Sequence, residues 1–344
     1  MMIYSKFKIF LCAIIAFSSS FVVAQSNILN ASTPSEVGVQ ADEASEAIQD
    51  EPLEYGYIDD RDILWSKIVW EKIDLNQKVN FPLLYPTNDK GTSDRRSLFK
   101  VLLQALAEGA KDSNSSTGIT EVYNTSYFKN KMTFDDIKQR IKDINLPDVA
   151  LEILGQYGIT GTENIDVFVK RALKGTLSNY PKEYPEKLVA EMAPYIAPTE
   201  ITSRDILEYR IKGMWYFDKL QGEMRYRLLG IAPAGKDIKS RSNQDSGAGD
   251  SQNQNVPYFW VWFPDARQAL HNAKVLNNEN SSMPFSYDHI LNSRRFDAVI
   301  YKTQNMYEDR EVSEYIQDNA LLQLLESNRI KEEIRNFELD MWSY

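Results

Sequence analysis

The stretch YFWVWFPDARQALHNAK, Tyr258 to Lys274, opens with six aromatic or valine residues and then turns polar. Side chains alternate across a strand, so Phe259, Val261 and Phe263 face one way and Tyr258, Trp260 and Trp262 the other. Apolar groups on both sides mean a strand covered on both faces, or one face kept for a partner. Pro264 ends the run, and Asp265 is placed to cap a helix over Ala266–Leu276 by accepting backbone N–H bonds.

Upstream, Arg210–Phe217 and Arg225–Ala232 are β-rich runs separated by DKLQGE, whose Gly222 suits a hairpin turn. The polar string from Ala234 to Asn255, AGKDIKSRSNQDSGAGDSQNQN, reads as a flexible loop, because strand patterning resumes directly after it. Thr133–Ile144, Pro147–Gln156, Ile165–Leu177 and Pro185–Met192 have helical spacing. Residues 309–342 read as one long C-terminal helix. Its main stripe is Val312, Tyr315, Ile316, Ala320, Leu324, Ile330, Ile334 and Phe337, widened by Leu321, Leu322 and Leu325. The plain reading lays that helix on the sheet with a broad footprint. The sharper one has it gripped on a second side by another subunit. The fold expected is α+β, antiparallel sheets packed with helices.

One string occurs twice. RDIL stands at Arg61–Leu64 and at Arg204–Leu207, each followed by a Trp-rich apolar run, an Asp, a polar turn and a Pro. SDRRSLFKVLLQAL is then echoed by PDARQALHNAKVL, and MTFDDIKQRI by FSYDHILNSRR. The shared order suggests two diverged halves, residues 61–200 and 201–344.

The chain has 344 residues, 43% of them hydrophobic, enough for a substantial core. Its first 24 residues carry Lys6 and Lys8, an apolar run from Ile9 to Val23 and a Val-Val-Ala end before Gln25, the pattern of a cleavable export signal. Cys12, the chain's single cysteine, lies inside that signal, so the expected mature protein has no disulfide, thiolate site or cysteine nucleophile. An exported protein without disulfides fits a bacterial envelope. Residues 25–60 hold nine acids and neither Lys nor Arg, and are expected to be a disordered acidic leader. The remainder is close to neutral and has no basic stripe, which argues against nucleic-acid binding.

The sequence offers little chemistry. His271 and His289 are the two histidines and have no metal-ligand spacing. There is no GxSxG elbow and no phosphate-cradling loop, so no cofactor is expected. Paired carboxylates remain, and Trp260 and Trp262 are candidates to stack on sugar rings, which keeps a carbohydrate-binding module or glycoside hydrolase as the alternative. The adjacent pairs Asp59-Asp60 and Asp135-Asp136 read better as acids at helix N-termini.

The strings RDILWSKIVWEKIDLNQKVNFPLLYP, RSLFKVLL, EYRIKGMWYFDK, RLLGIAPAG, FWVWFPDARQALHNAKV and SYDHILNSRRFDAVIYK, in this order, resemble the GldN family of gliding motility proteins, called PorN where the organism does not glide. The resemblance covers nearly all of Arg61 to Arg310. It implies a non-enzymatic periplasmic component of the type IX secretion system of Bacteroidetes. Such a component assembles with the lipoprotein GldK into rings under the outer membrane, and contacts the inner-membrane-anchored GldL–GldM motor. The ring is required for secretion and, where it occurs, for gliding. Tyr258–Phe263 is expected to be a central strand of the second half, buried by its own helices with at most one face meeting a neighbour. The candidates to meet partners, or further copies within a ring, are Trp260, Trp262, Leu321, Leu322 and Leu325.

Overall fold

The structure is a computed structural model that describes residues 52–53, 55–87, 95–113, 115–144, 146–181, 183–196, 198–236, 255–275, 285–317 and 319–342. The expected signal, the leader as far as residue 51 and most of the polar loop lie outside the described residues. From Glu54 onward the chain forms one compact unit.

Both RDIL strings sit at the same kind of junction. Asp60–Asp62 and Ser203–Asp205 are short 3-10 turns, each braced by an aspartate, and each runs directly into a long strand. Those strands are neighbours in one antiparallel sheet, in register from Ser66 opposite Tyr216 to Asp74 opposite Glu208. Further echoes hold where capping chemistry repeats. Thr133 follows one two-residue strand and Ser286 ends another, and both side chains accept from the third backbone N–H of the helix they start. The echo breaks at Lys78–Leu84, which is helical, whereas the matching part of the second copy is a strand.

In chain order, β1 (Ile63–Asp74) leads to α1 (Phe81–Leu84), α2 (Leu98–Lys111), the pair β2 (Val122–Tyr123) and β3 (Lys131–Met132), and α3 (Phe134–Ile141). A helical excursion follows: β4 (Lys142–Asp143), α4 (Asp148–Gln156), α5 (Thr162–Leu173), α6 (Glu186–Met192) and β5 (Thr199–Glu200). The long hairpin β6 (Ile206–Asp218) and β7 (Glu223–Gly235) comes next, then β8 (Val256–Pro257), β9 (Trp260–Trp262) and α7 (Phe263–Asn272). β10 (Lys274–Val275), β11 (Phe285–Ser286), α8 (Tyr287–Asn292), β12 (Val299–Thr303), α9 (Val312–Tyr315) and α10 (Ala320–Trp342) complete the described order. The main sheet runs β12-β1-β6-β7-β9-β2-β3, with β8 beside β7. The fold is α+β, antiparallel sheets with packed helices and a long C-terminal helix.

Several boundaries differ from the sequence expectation. Packing includes residues before Arg61: the Tyr55 hydroxyl donates to Asn292 Oδ1 at 2.7 Å and the ring lies against the Arg267 guanidinium. β7 continues through Ala234 and Gly235, which pair with β8, so those two residues belong to the sheet rather than to the loop. Asp265 does not cap the following helix. Trp262 is the N-cap, Pro264 lies in the first turn, and the helix ends at Asn272 because Lys274–Val275 pair with Phe285–Ser286. The C-terminal segment is two helices, since the chain leaves helical geometry at Ile316 (φ −116°, ψ 88°).

The sheet has two unlike faces. Ile73, Tyr209, Ile211, Leu228, Ile231, Val261 and Phe263 meet Leu98, Phe99, Leu102 and Leu106 of α2 and Ala266 and Leu270 of α7 in the main core. Further along β1, Val69 meets Ile300, Ile330 and Ile334, which seats α10. The opposite face carries Trp70, Ala232, Trp260 and Tyr301 under the residues 123–128. Residues 142–200 have a core of their own, Ala150, Leu154, Phe168, Leu177, Tyr184, Leu188 and Met192. The β4–β5 pair closes the base of that excursion.

A buried ion pair crosses the main core. Glu71 is 1% exposed in the middle of β1, and its two carboxylate oxygens accept from both terminal nitrogens of Arg294 at 2.9 and 3.0 Å. Arg294 sits at φ 51°, with its guanidinium 4.1 Å from the Tyr226 ring centroid and 5.2 Å from that of Trp215. Removing one partner of such a pair strands the other charge, whereas removing both does not. Glu71→Met should therefore cost about 3 kcal/mol, and Glu71→Met combined with Arg294→Met clearly less. Urea titration of the two variants checks this.

Candidate partner interface

The five residues expected to meet a partner divide into two groups. Trp260 and Trp262 lie on β9 with their rings on the second face of the sheet. Trp260 pairs across from Tyr123 and Trp262 across from Gly230. The segment following Tyr123 folds back over them. Phe128, at φ 56°, places its ring 4.9 Å from that of Trp262, edge-on at 83°, and 6.5 Å from that of Trp260. A Cβ on Gly230 would run into the Phe128 ring, so glycine there is what lets the aromatic lid close. Trp260 is left 3% exposed and belongs to the chain's own interior, and Trp262 is half-buried. This places Trp260 where no partner can touch it, because a loop distant in sequence supplies the covering that alternation alone leaves open.

Around this cluster the second face alternates rings with cations. Lys212 donates to the Ser126 carbonyl at 3.0 Å, with its ammonium 5.0 Å from the Trp70 ring. The Lys302 ammonium lies 5.1 Å from the same ring. Burial, with Lys302 nearby, pushes the Lys212 ammonium below the usual lysine range, while Asp309 opposes the shift. The Tyr127 hydroxyl donates to Asp309 Oδ2 at 2.9 Å and holds the loop in place. Among the described residues the buried indole N–H of Trp70 has no acceptor. Its position is fixed by packing and by cation–π attraction.

The leucines behave differently. The buried residues of α10 begin at Ser327, whose Oγ accepts from the Ile300 backbone N–H at 2.8 Å, and continue with Ile330 and Ile334. Phe337 stacks on Trp65 at 4.7 Å, and Lys67 pairs with Glu333 at 2.8 Å. From Ser327 onward, then, the helix seals the open side of the edge strand β12. Its first two turns receive no such cover: Leu321 is 65% exposed, Leu322 48% and Leu325 54%. Leu324 at 43% and Tyr315 at 45% join them, although the sequence stripe put both toward the core. The Tyr315 hydroxyl reaches Glu326 at 3.3 Å, and Arg329 holds the Glu326 carboxyl below its ordinary range through a 2.6 Å hydrogen bond. The apolar tip thus has one ionic border. Four exposed leucines thus stand on the first two turns of a helix that is otherwise docked.

Sequence reasoning found three of these leucines and missed Leu324 and Tyr315. It also gave no sign of Met306 and Tyr307, 88% and 68% exposed on the turn after β12. That turn is held by Asn305 Oδ1, which accepts from the Tyr307 and Asp309 N–H groups. The Asn-x-x-x-Asp spacing was the available signal. Among the described residues, no group of three or more His, Cys, Asp or Glu side chains is placed to hold a metal, and no helix is long and apolar enough to cross a membrane.

The two groups predict opposite outcomes. Trp260→Ala should lower stability by about 3–5 kcal/mol, whereas Leu321→Gln with Leu325→Gln should stay within roughly 0.5 kcal/mol of the parent. Thermal and urea unfolding of both variants checks the assignment.

No curated protein matches the chain. A family model described as gliding motility associated protein GldN matches residues 58–343, from just before β1 to the end of α10. The match spans the whole sheet, the helical excursion and the leucine-bearing helix, and the chain is a member of the GldN family of gliding motility associated proteins.

Proposed function

We propose that the chain is a non-enzymatic structural subunit of a periplasmic ring of the type IX secretion system. On this reading it is exported by a cleavable signal and held at the inner face of the outer membrane by a GldK-like lipoprotein. It repeats around the ring and contacts a GldL/GldM-like motor. Family membership supports a role in gliding motility, and the ring, the partners and the compartment are this proposal's own content.

The observation that carries it is the uncovered tip of α10. Fully burying one exposed leucine gains roughly 1.5–3 kcal/mol. Leu321, Leu322 and Leu325 are already about half covered, so burying what remains yields on the order of 2–5 kcal/mol. Association costs about 4–15 kcal/mol before any surplus appears. One such patch therefore gives weak pairing alone and firm assembly when each subunit is held from more than one side. That balance suits a repeating ring better than an isolated dimer. The sugar-binding alternative loses its platform, because Trp260 is buried and Phe128 lies over Trp262.

Co-expression with the lipoprotein tests the reading. The parent chain should elute with it as a large assembly, and Leu322→Glu with Leu325→Glu should elute as a folded small species. A parent chain that stays solitary beside the lipoprotein, or a double variant that assembles fully, contradicts it.

A further inference from the structure

The two edges of the main sheet are treated differently. β12 is sealed on its outer side by Ser327 and by a bridge from Lys302 to Glu311. β3, at the other end, has β2 on one side and, among the described residues, no strand on the other. Both its residues, Lys131 and Met132, line a cleft of about 800 Å³. Two helices supply further walls, each presenting one stripe at i, i+3, i+4 and i+7. These are Asp136, Gln139, Arg140 and Asp143, running from α3 into β4, and Asp166, Val169, Lys170 and Leu173 of α5.

Some of the lining is committed within the chain. Lys131 pairs with Glu121, Asp136 closes the cap on Thr133, and Arg140 donates to the Tyr258 carbonyl. Other groups are not. The side chains of Asn124, Asn130, Gln139, Asp166 and Lys170 form no hydrogen bond or ion pair among the described residues. Three of these are amides, which offer a donor and an acceptor together, as a peptide backbone does. The other two are opposite charges one helical turn apart, roughly 6 Å between Cβ atoms. That spacing is close to the roughly 6.6 Å between alternate side chains on one face of a strand.

We propose that this cleft accepts an extended segment of a partner polypeptide. The segment adds as a strand to β3 and presents a basic and an acidic side chain, two positions apart, to Asp166 and Lys170. Strand addition supplies backbone hydrogen bonds for affinity, and the charge pair supplies register. The volume lies within the range of ligand clefts. The site is separate from the α10 leucines and does not depend on the ring assignment.

The test uses the purified protein and labelled capped hexapeptides read by fluorescence anisotropy. The mixed probe, Thr-Lys-Val-Asp-Val-Thr, should bind saturably. The same peptide with alternate backbone nitrogens methylated should not. Asp166→Lys should weaken the mixed probe roughly tenfold and favour a di-acidic probe, Thr-Asp-Val-Asp-Val-Thr, with an unchanged melting temperature. Absence of saturable binding by the mixed probe overturns the proposal, as does equal binding of the methylated peptide or indifference to Asp166→Lys. Concentration-dependent self-association lost in Asp166→Lys would assign the cleft to a second copy, which also overturns it.

Discussion

The Glu71–Arg294 pair is the constraint on which the arrangement turns. A carboxylate 1% exposed in the middle of the sheet is tolerable only with a matched, two-point cation, and Arg294 supplies it. Meeting it fixes Arg294 in the left-handed backbone region and stacks its guanidinium among Tyr226, Trp215 and Phe296. The turn leaving α8 is therefore anchored to β1. The strand that follows, β12, lies beside β1, and α10 docks on β12 through Ser327, Ile330 and Ile334. A polar bond in the core thus sets where the surface helix sits.

What projects from that helix follows from the same geometry. The docking residues begin at Ser327, so the two turns before it lie beyond the packing and keep four leucines exposed at 43% or more. A fold that closes its β12 edge with a serine and a bridging backbone, yet leaves these side chains bare, protects its sheet while keeping a helix tip available. The excursion 142–200 is a second such allocation, a small helical body with its own core carried at the far end of the sheet.

The fold was legible where local chemistry decides it. Alternation placed Phe259, Val261 and Phe263 together in the main core, Gly222 turned the hairpin at φ 67°, and Thr133 and Pro147 preceded the helices expected of them. The family strings were legible as well, since they span the same strands and helices. What failed depends on contacts between distant residues. The covering of Trp260 comes from Phe128, more than a hundred positions away, and no periodicity announces it. Asp265 had a capping position in sequence, but the helix starts three residues earlier, directly after Trp262 pairs in the sheet. The stripe through Tyr315 and Leu324 assumed one continuous helix. The break near Ile316 resets the phase and turns both outward.

The central claim is that the tip of α10 is held by another chain in the cell envelope. Site-specific photo-crosslinking tests it most directly, with a benzophenone side chain placed at Leu325 in living cells and, as a control, at the exposed but polar Glu332. The account predicts a discrete adduct of higher mass from position 325 and none from 332. A protein that reaches the envelope at normal abundance yet gives no adduct at 325 would contradict it.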